Sequence, residues 1–268
     1  MTDADSTFVS VERPREGVAL ITLNRPARMN AMAFDVMVPL REAIEAISRD
    51  NGVRVVVLTG AGRAFCSGAD LEDPGRVPGI DGLTLPTIAL RSMELLDDVI
   101  LAIRRMHQPV IAAVNGAAIG GGFCLACAAD IRIGSDTAYF RAAGINNGLT
   151  ANELGISYLL PRQIGFSRAF DILLSGRDVD AEEAERIGLV SRVVPAATFD
   201  DEVNAALEQI SRSPTTALAL TKWLFYKLDS LSFEDGVAAG VVTNVEARST
   251  DDFKKGVRRF TERRSRPE

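Results

Sequence analysis

Two glycine turns and a shortage of imidazole set the chemistry open to this chain. The first turn runs Gly60-Ala61-Gly62-Arg63-Ala64-Phe65-Cys66-Ser67-Gly68-Ala69-Asp70-Leu71, and the second Asn115-Gly116-Ala117-Ala118-Ile119-Gly120-Gly121-Gly122. Glycine lets main-chain N–H groups approach a ligand closely. A helix that follows such a turn aims its positive end at the same point. Two turns at the ends of neighbouring parallel strands can bring two N–H groups onto one carbonyl oxygen, an oxyanion hole made of main chain. Tight backbone packing is the other reading of glycines so placed. Neither turn is a dinucleotide fingerprint, since Phe65 stands where the third glycine is needed, and no Walker lysine follows either. The single histidine, His107, and three cysteines, Cys66, Cys124 and Cys127, exclude a histidine-rich metal site. A Ser-His-Asp relay would rest on His107 alone.

The elements that must carry these turns are legible as an alternating pattern. Gly17–Asn24 and Val53–Thr59 are apolar runs expected as strands, the second covered on both faces. Met37, Leu40, Ile44 and Ile47 recur at helical spacing, with Pro39 tolerable only in a first turn. A further helix is expected over Thr87–Met106 and a further buried strand over Val110–Val114. This order predicts an α/β fold. The stretch Pro109–Ala129 carries no charge, yet Asn115 and its glycines favour strand, turn and buried helix over a membrane span. Between Asp73 and Pro86 the breakers Pro74, Gly75, Pro78, Gly79 and Gly82 predict a long loop. From about Asp180 the texture turns helical, with Phe199, Val203, Leu207 and Ile210 on one helix and Thr221, Leu224, Leu228 and Leu231 on another. Two more helices are expected up to Arg264.

Composition narrows the partners. The 268 residues are 47% hydrophobic and 25% charged, as in soluble globular proteins. A formal charge of −6 argues against nucleic acid as the partner. An odd cysteine count fits a reducing compartment, and Met1–Asp5 lacks the basic-then-apolar pattern of a targeting segment. The expectation is a cytoplasmic protein with no membrane segment and no metal. Cys124-Leu125-Ala126-Cys127 is a C-x-x-C without a second ligand pair, so core packing is favoured over redox chemistry.

The segments Leu23–Pro26 with Met29–Met32, Ser67–Leu71, Pro109–Gly122 and Thr250–Arg264 resemble the enoyl-CoA hydratase/isomerase family, the crotonase superfamily. The resemblance covers roughly Gly17 to Arg264. It implies a spiral of ββα units (a core domain over residues 1–195) and a C-terminal helical trimerisation region over residues 196–268. It implies an acyl-CoA thioester as substrate, a homotrimer or dimer of trimers, and no cofactor beyond the coenzyme A of the substrate. The thioester oxygen would lie between the N–H groups of Ala69 and Gly121. Removing one such donor costs enzymes roughly 3–4 kcal/mol of transition-state stabilisation. Ser67, Asp70 and Leu71 fall beside the first donor, with Asp70 and Asp130 expected to fix turns through backbone bonds.

The acid/base groups depart from the family's pattern. The two glutamates used by its hydratases fall here on Cys124 and Gly144. Each general acid or base typically contributes 10²- to 10⁴-fold, so losing both should cripple ordinary hydration. Isomerase-like relatives carry an acidic residue just before a Leu-Pro-Arg sequence, and matching back from Leu160-Pro161-Arg162 gives Glu153. One carboxylate suffices to move a proton between two carbons. The competing reading is a capping box, Thr150-x-x-Glu153. Cys124 and Gly144 would then shape the pocket. The basic tail around Lys254, Lys255, Arg258, Arg259 and Arg263, and Arg28 near the first turn, are the groups expected to meet coenzyme A phosphates. The alternative to an isomerase or hydratase is an acyl-CoA binding protein of the same fold without catalysis.

Overall fold

The computed structural model describes the backbone of residues 8–264 and side chains to residue 262. The chain opens with the antiparallel pair β1 (Val9–Glu12) and β2 (Val18–Leu23), followed by α1 (Phe34–Ser48). A ββα unit of β3 (Val55–Gly60), β4 (Ala64–Cys66) and α2 (Leu85–Arg105) comes next. The same step repeats as β5 (Val110–Val114), β6 (Ala117–Ile119) and α3 (Gly121–Ala128). It repeats again as β7 (Ile131–Ser135), β8 (Tyr139–Arg141) and the helices α4 (Ile156–Ile164) and α5 (Phe166–Ser175). Then follow β9 (Asp178–Asp180), α6 (Ala181–Arg186), β10 (Arg192–Val194), α7 (Phe199–Ser211), α8 (Thr215–Leu228), α9 (Phe233–Arg248) and α10 (Asp251–Arg264). The first strand of each unit joins a six-stranded sheet ordered β1-β2-β3-β5-β7-β10. The second joins a four-stranded sheet ordered β4-β6-β8-β9. Repetition of this step winds the chain into a spiral.

Side-chain alternation divides the larger sheet between two cores. Val56 and Leu58 of β3, with Val110, Ala112 and Val114 of β5, face the cluster built with α1, α2 and α3. Their neighbours Val55, Val57, Ile111 and Ala113 face the other way, onto Phe199, Val203, Ala206 and Leu207 of α7. The helical region that begins at residue 196 therefore starts with a helix that covers the sheet. The uncharged run Pro109–Ala129 resolves into β5, β6 and α3, with every residue of α3 buried. Among the described residues no helix is long and apolar enough to cross a membrane.

Several expectations need correction. Pro39 lies in the second turn of α1, because the helix begins at Phe34. Burial of Val36, Met37, Leu40, Ile44 and Ile47 carries the helix through the missing N–H. Leu231 falls beyond α8, which stops at Leu228. Strands β4, β6, β8 and β9 are three residues each, too short for a period-2 pattern to stand out.

One buried polar contact fastens α8 to the spiral. Lys222, 8% exposed, donates to the carbonyls of Ile103 and Gln108 and pairs with Asp130 at 2.8 Å. Asp130 also accepts from Tyr226 Oη and from the N–H of Val110. Burial outweighs the attraction of Asp130 and holds the Lys222 ammonium below the ordinary lysine range. Lys222→Ala would strand a mostly buried carboxylate and two carbonyls. We expect it to lower unfolding stability by about 3–5 kcal/mol, read by urea denaturation.

Candidate active site

Strands β4 and β6 pair in parallel, Ala64 opposite Ala117 and Cys66 opposite Ala118, so the turns that follow them lie side by side. Their approach is main chain on main chain. A Cβ built on Gly122 would collide with the Cys66 carbonyl, and one on Gly116 with the Arg63 carbonyl. A Cβ on Gly68 would lie 2.7 Å from the Ile119 carbonyl oxygen and 3.4 Å from the Gly121 nitrogen. Gly120 has φ +51°, a left-handed value that glycine reaches without strain.

Two N–H groups are left available where the turns meet. Met32 bridges Ala69 in parallel fashion: Met32 N–H donates to the Gly68 carbonyl, and Asp70 N–H donates to the Met32 carbonyl. In that pattern the N–H of Ala69 faces away from Met32. Gly121 is the first residue of α3, where an N–H has no partner within the helix. The sequence-derived donors Ala69 and Gly121 are thus held on facing turns. Neither N–H donates a hydrogen bond among the described residues.

Polar side chains fix the first turn from behind. Asn30, fully buried, accepts from the Arg25 N–H and donates to the carbonyls of Ala61 and Ala64. Asn115 donates to the Gly62 carbonyl and accepts from the Gly60 N–H, tying the two turns together. Asp70 accepts from the N–H groups of Glu72 and Asp73 and pairs with Arg25 at 2.8 Å and Arg28 at 2.5 Å. The Arg28 guanidinium holds the Asp70 carboxyl well below the usual carboxylate range. Arg28 also pairs with Glu72 at 2.6 Å, so its side chain braces the start of the loop between β4 and α2. Ser67 reaches the Arg28 carbonyl, and Leu71 stands 78% exposed. The Arg263 side chain lies outside the described residues.

Glu153 comes to the same place from the other side. It opens a short 3-10 turn, Glu153–Gly155, whose preceding residue is Asn152 and which carries no side-chain cap. The capping box with Thr150 does not form, because Leu154 has φ +47° and breaks the helical path before α4. The carboxylate instead turns inward. Its Oε2 lies 3.8 Å from a Cβ built on Gly120, and its Oε1 only 2.6 Å from one built on Gly144. Cys124 Sγ donates to the Glu153 carbonyl at 3.4 Å. These residues, with Phe123, Ala142, Ala151, Ile156 and Leu173, line a cavity of about 10 Å³, the space of roughly one water. Burial pushes Glu153 above its ordinary range. The Cys124 thiol is pushed well above its own by burial, reinforced by Cys127, Glu153 and Cys66, and stays neutral. Cys127 and Cys66 are buried and raised to about 12, as expected of packing cysteines. Among the described residues no three metal-ligating side chains gather.

Sequence reasoning missed the parts played by Arg25, Asn30 and Leu154. A left-handed leucine has no composition signal. Gly155 after it, itself at φ +75°, is the nearest local hint of a kink.

Residues 13–267 match the family model described as enoyl-CoA hydratase/isomerase. The chain is 60% identical over 261 residues to the probable enoyl-CoA hydratase EchA12 of Mycobacterium tuberculosis, covering 97% of this chain and 92% of that one. A crystal structure of a probable enoyl-CoA hydratase/isomerase from Mycobacterium abscessus is 58% identical, with a TM-score of 0.90 and 96% of each chain covered. A monofunctional enoyl-CoA isomerase from M. smegmatis is 55% identical, with a TM-score of 0.74, covering 87% of this chain and 99% of that one.

The Asp70 cluster has a pH signature. A carboxylate whose folded pKa is depressed stabilises the fold above its unfolded value, about 3.9, and loses that contribution as pH falls through the folded value. Between pH 5 and pH 3, urea midpoints should fall further for the wild type than for Asp70→Asn.

Proposed function

The chain belongs to the enoyl-CoA hydratase/isomerase family, and on that premise we propose that it shifts the double bond of an acyl-CoA thioester, with Glu153 as its one proton carrier. The observation that carries this reading is the lining of the cavity beside the two turns, in which Glu153 is the one carboxylate among the described residues. The thioester oxygen would accept from the Ala69 and Gly121 N–H groups. Glu153 would take a proton from the α-carbon of a 3-enoyl thioester. The C–H pair moves toward the carbonyl, and the resulting dienolate carries its charge on the oxygen held by the two donors. Electrons then return through the conjugated chain to the γ-carbon, which collects the same proton. The carboxylate ends ionised as it began, no water is consumed, and no cofactor is needed. Preorganised donors of this kind are worth roughly 3–4 kcal/mol each.

Hydration makes a different demand, a base for water and an acid for carbon. Gly144 has no side chain, and Cys124 is a buried neutral thiol, so neither position supplies the second group. Coenzyme A phosphates would meet basic side chains of α10 such as Lys255, Arg258 and Arg259, supplied by a neighbouring copy. Helices α8 to α10 support assembly, since Phe233, Val237, Val241 and Val245 of α9 are each more than half exposed in the isolated chain.

Purified protein should convert 3-hexenoyl-CoA to the conjugated 2-enoyl thioester much faster than it hydrates crotonyl-CoA, followed by thioester absorbance. Glu153→Gln should lower isomerisation kcat by 10²-fold or more. Retention of full activity in that variant would falsify the role. Tight acyl-CoA binding without turnover would point to a binding protein instead. A base acts only when deprotonated, so kcat should fall on the acid side through an apparent pKa above the usual glutamate range.

Assembly has its own test. Light scattering should give a mass that is a multiple of three chains, and Val241→Glu should release smaller species.

A further inference from the structure

The two positions that resemblance assigns to hydratase glutamates are not simply vacated. Gly144 has φ −55° and ψ −48°, ordinary right-handed values that any residue adopts. Its lack of a side chain therefore answers no backbone need. What it does answer is space. A Cβ there would stand 2.6 Å from Glu153 Oε1, 2.9 Å from Glu153 Cδ and 2.8 Å from the Thr150 carbonyl oxygen. Contacts that short are inside van der Waals separation, so the carboxylate occupies the volume a side chain at residue 144 would fill. At the other position, the Cys124 thiol grips the main chain of the same glutamate by donating to its carbonyl. Directly after Glu153 the chain makes its left-handed step at Leu154, φ +47°. The Leu154 side chain reaches within 3.2 Å of a Cβ built on Gly121.

We propose that Gly144 and Cys124 are positioning residues that form the seat of Glu153: Gly144 by yielding the space for its carboxylate, Cys124 by tethering its backbone. A substitution that puts any side chain at 144 evicts the carboxylate from the oxyanion turns. The seat acts only through Glu153, so its kinetic test rests on the reading of Glu153 as the proton carrier.

A double-mutant cycle on 3-hexenoyl-CoA isomerisation tests it, with wild type, Gly144→Ala, Glu153→Gln and the double variant. Gly144→Ala should lower kcat by about 10²-fold with KM changed by less than about threefold, and should cost nothing further once Glu153 is Gln. Penalties that multiply in the double variant overturn the proposal. Cys124→Ala should also lower kcat, and Cys124→Ser, which keeps a donor, should restore most of the loss; equal losses in both overturn the tether. A second cycle reads the seat without activity. Gly144→Ala should lower the melting temperature more when Glu153 is present than in a Glu153→Ala background, where the two carboxylate contacts are gone and the Thr150 carbonyl contact alone remains. An equal drop in both backgrounds, or failure of both proteins to fold, overturns the seat. If Glu153→Gln keeps wild-type kcat, the isomerase reading fails on its own, and the melting cycle still decides whether Gly144 seats the side chain.

Discussion

Everything at the site depends on how closely two stretches of backbone can approach. Strands β4 and β6 run in parallel, and the backbones at their ends press together through glycines at 68, 116 and 122. At Gly116 a Cβ would strike the Arg63 carbonyl, and at Gly122 the Cys66 carbonyl. At these two glycines no side chain fits, so the groups that meet there are main-chain. The Ala69 and Gly121 N–H groups lie on these turns and donate to no acceptor among the described residues. The larger sheet, with a core on each face, is the scaffold that keeps the two turns from drifting apart.

Two carboxylates near these turns differ in kind because their surroundings differ. Asp70 sits between Arg25 and Arg28 and accepts two backbone bonds, so its charged form is favoured and it serves as a brace. Glu153 has burial as the cause of its shift and no cation paired with it among the described residues, so its charged form is disfavoured. A carboxyl shifted in this direction takes a proton more readily than an ordinary one. The same fold thus favours the charged form of one acid and disfavours that of the other.

The long strands were legible because apolar residues buried on both faces leave a continuous run, as in Val55–Gly60 and Val110–Val114. The glycine turns were legible because their spacing follows those strands. The short strands of the second sheet were not, since three residues carry no period. Glu153 could be singled out by position, but not its conformation. Whether it caps a helix or faces the cavity turns on the φ of Leu154, a tertiary choice that local propensity opposes. That choice becomes possible when Gly144 leaves room on one side and Gly121 on the other.

A buried carboxylate helps bind the C-terminal arm into this arrangement. Asp130 Oδ2 receives both Lys222 of α8 and the N–H of Val110, the first residue of β5. Strand β5 leads into Asn115, β6 and the second glycine turn. A buried ion pair of this sort adds little net stability, because desolvation offsets the attraction. Two apolar side chains would hold α8 about as firmly, but they would tolerate sliding along the helix axis. Lys222 bonds to two specific carbonyls and one carboxylate, so it fixes the register of α8 against α2 and β5. The helix that begins the exposed apolar arm is therefore set in one position relative to the strand that presents Gly121, and an assembly built on that arm inherits the same geometry.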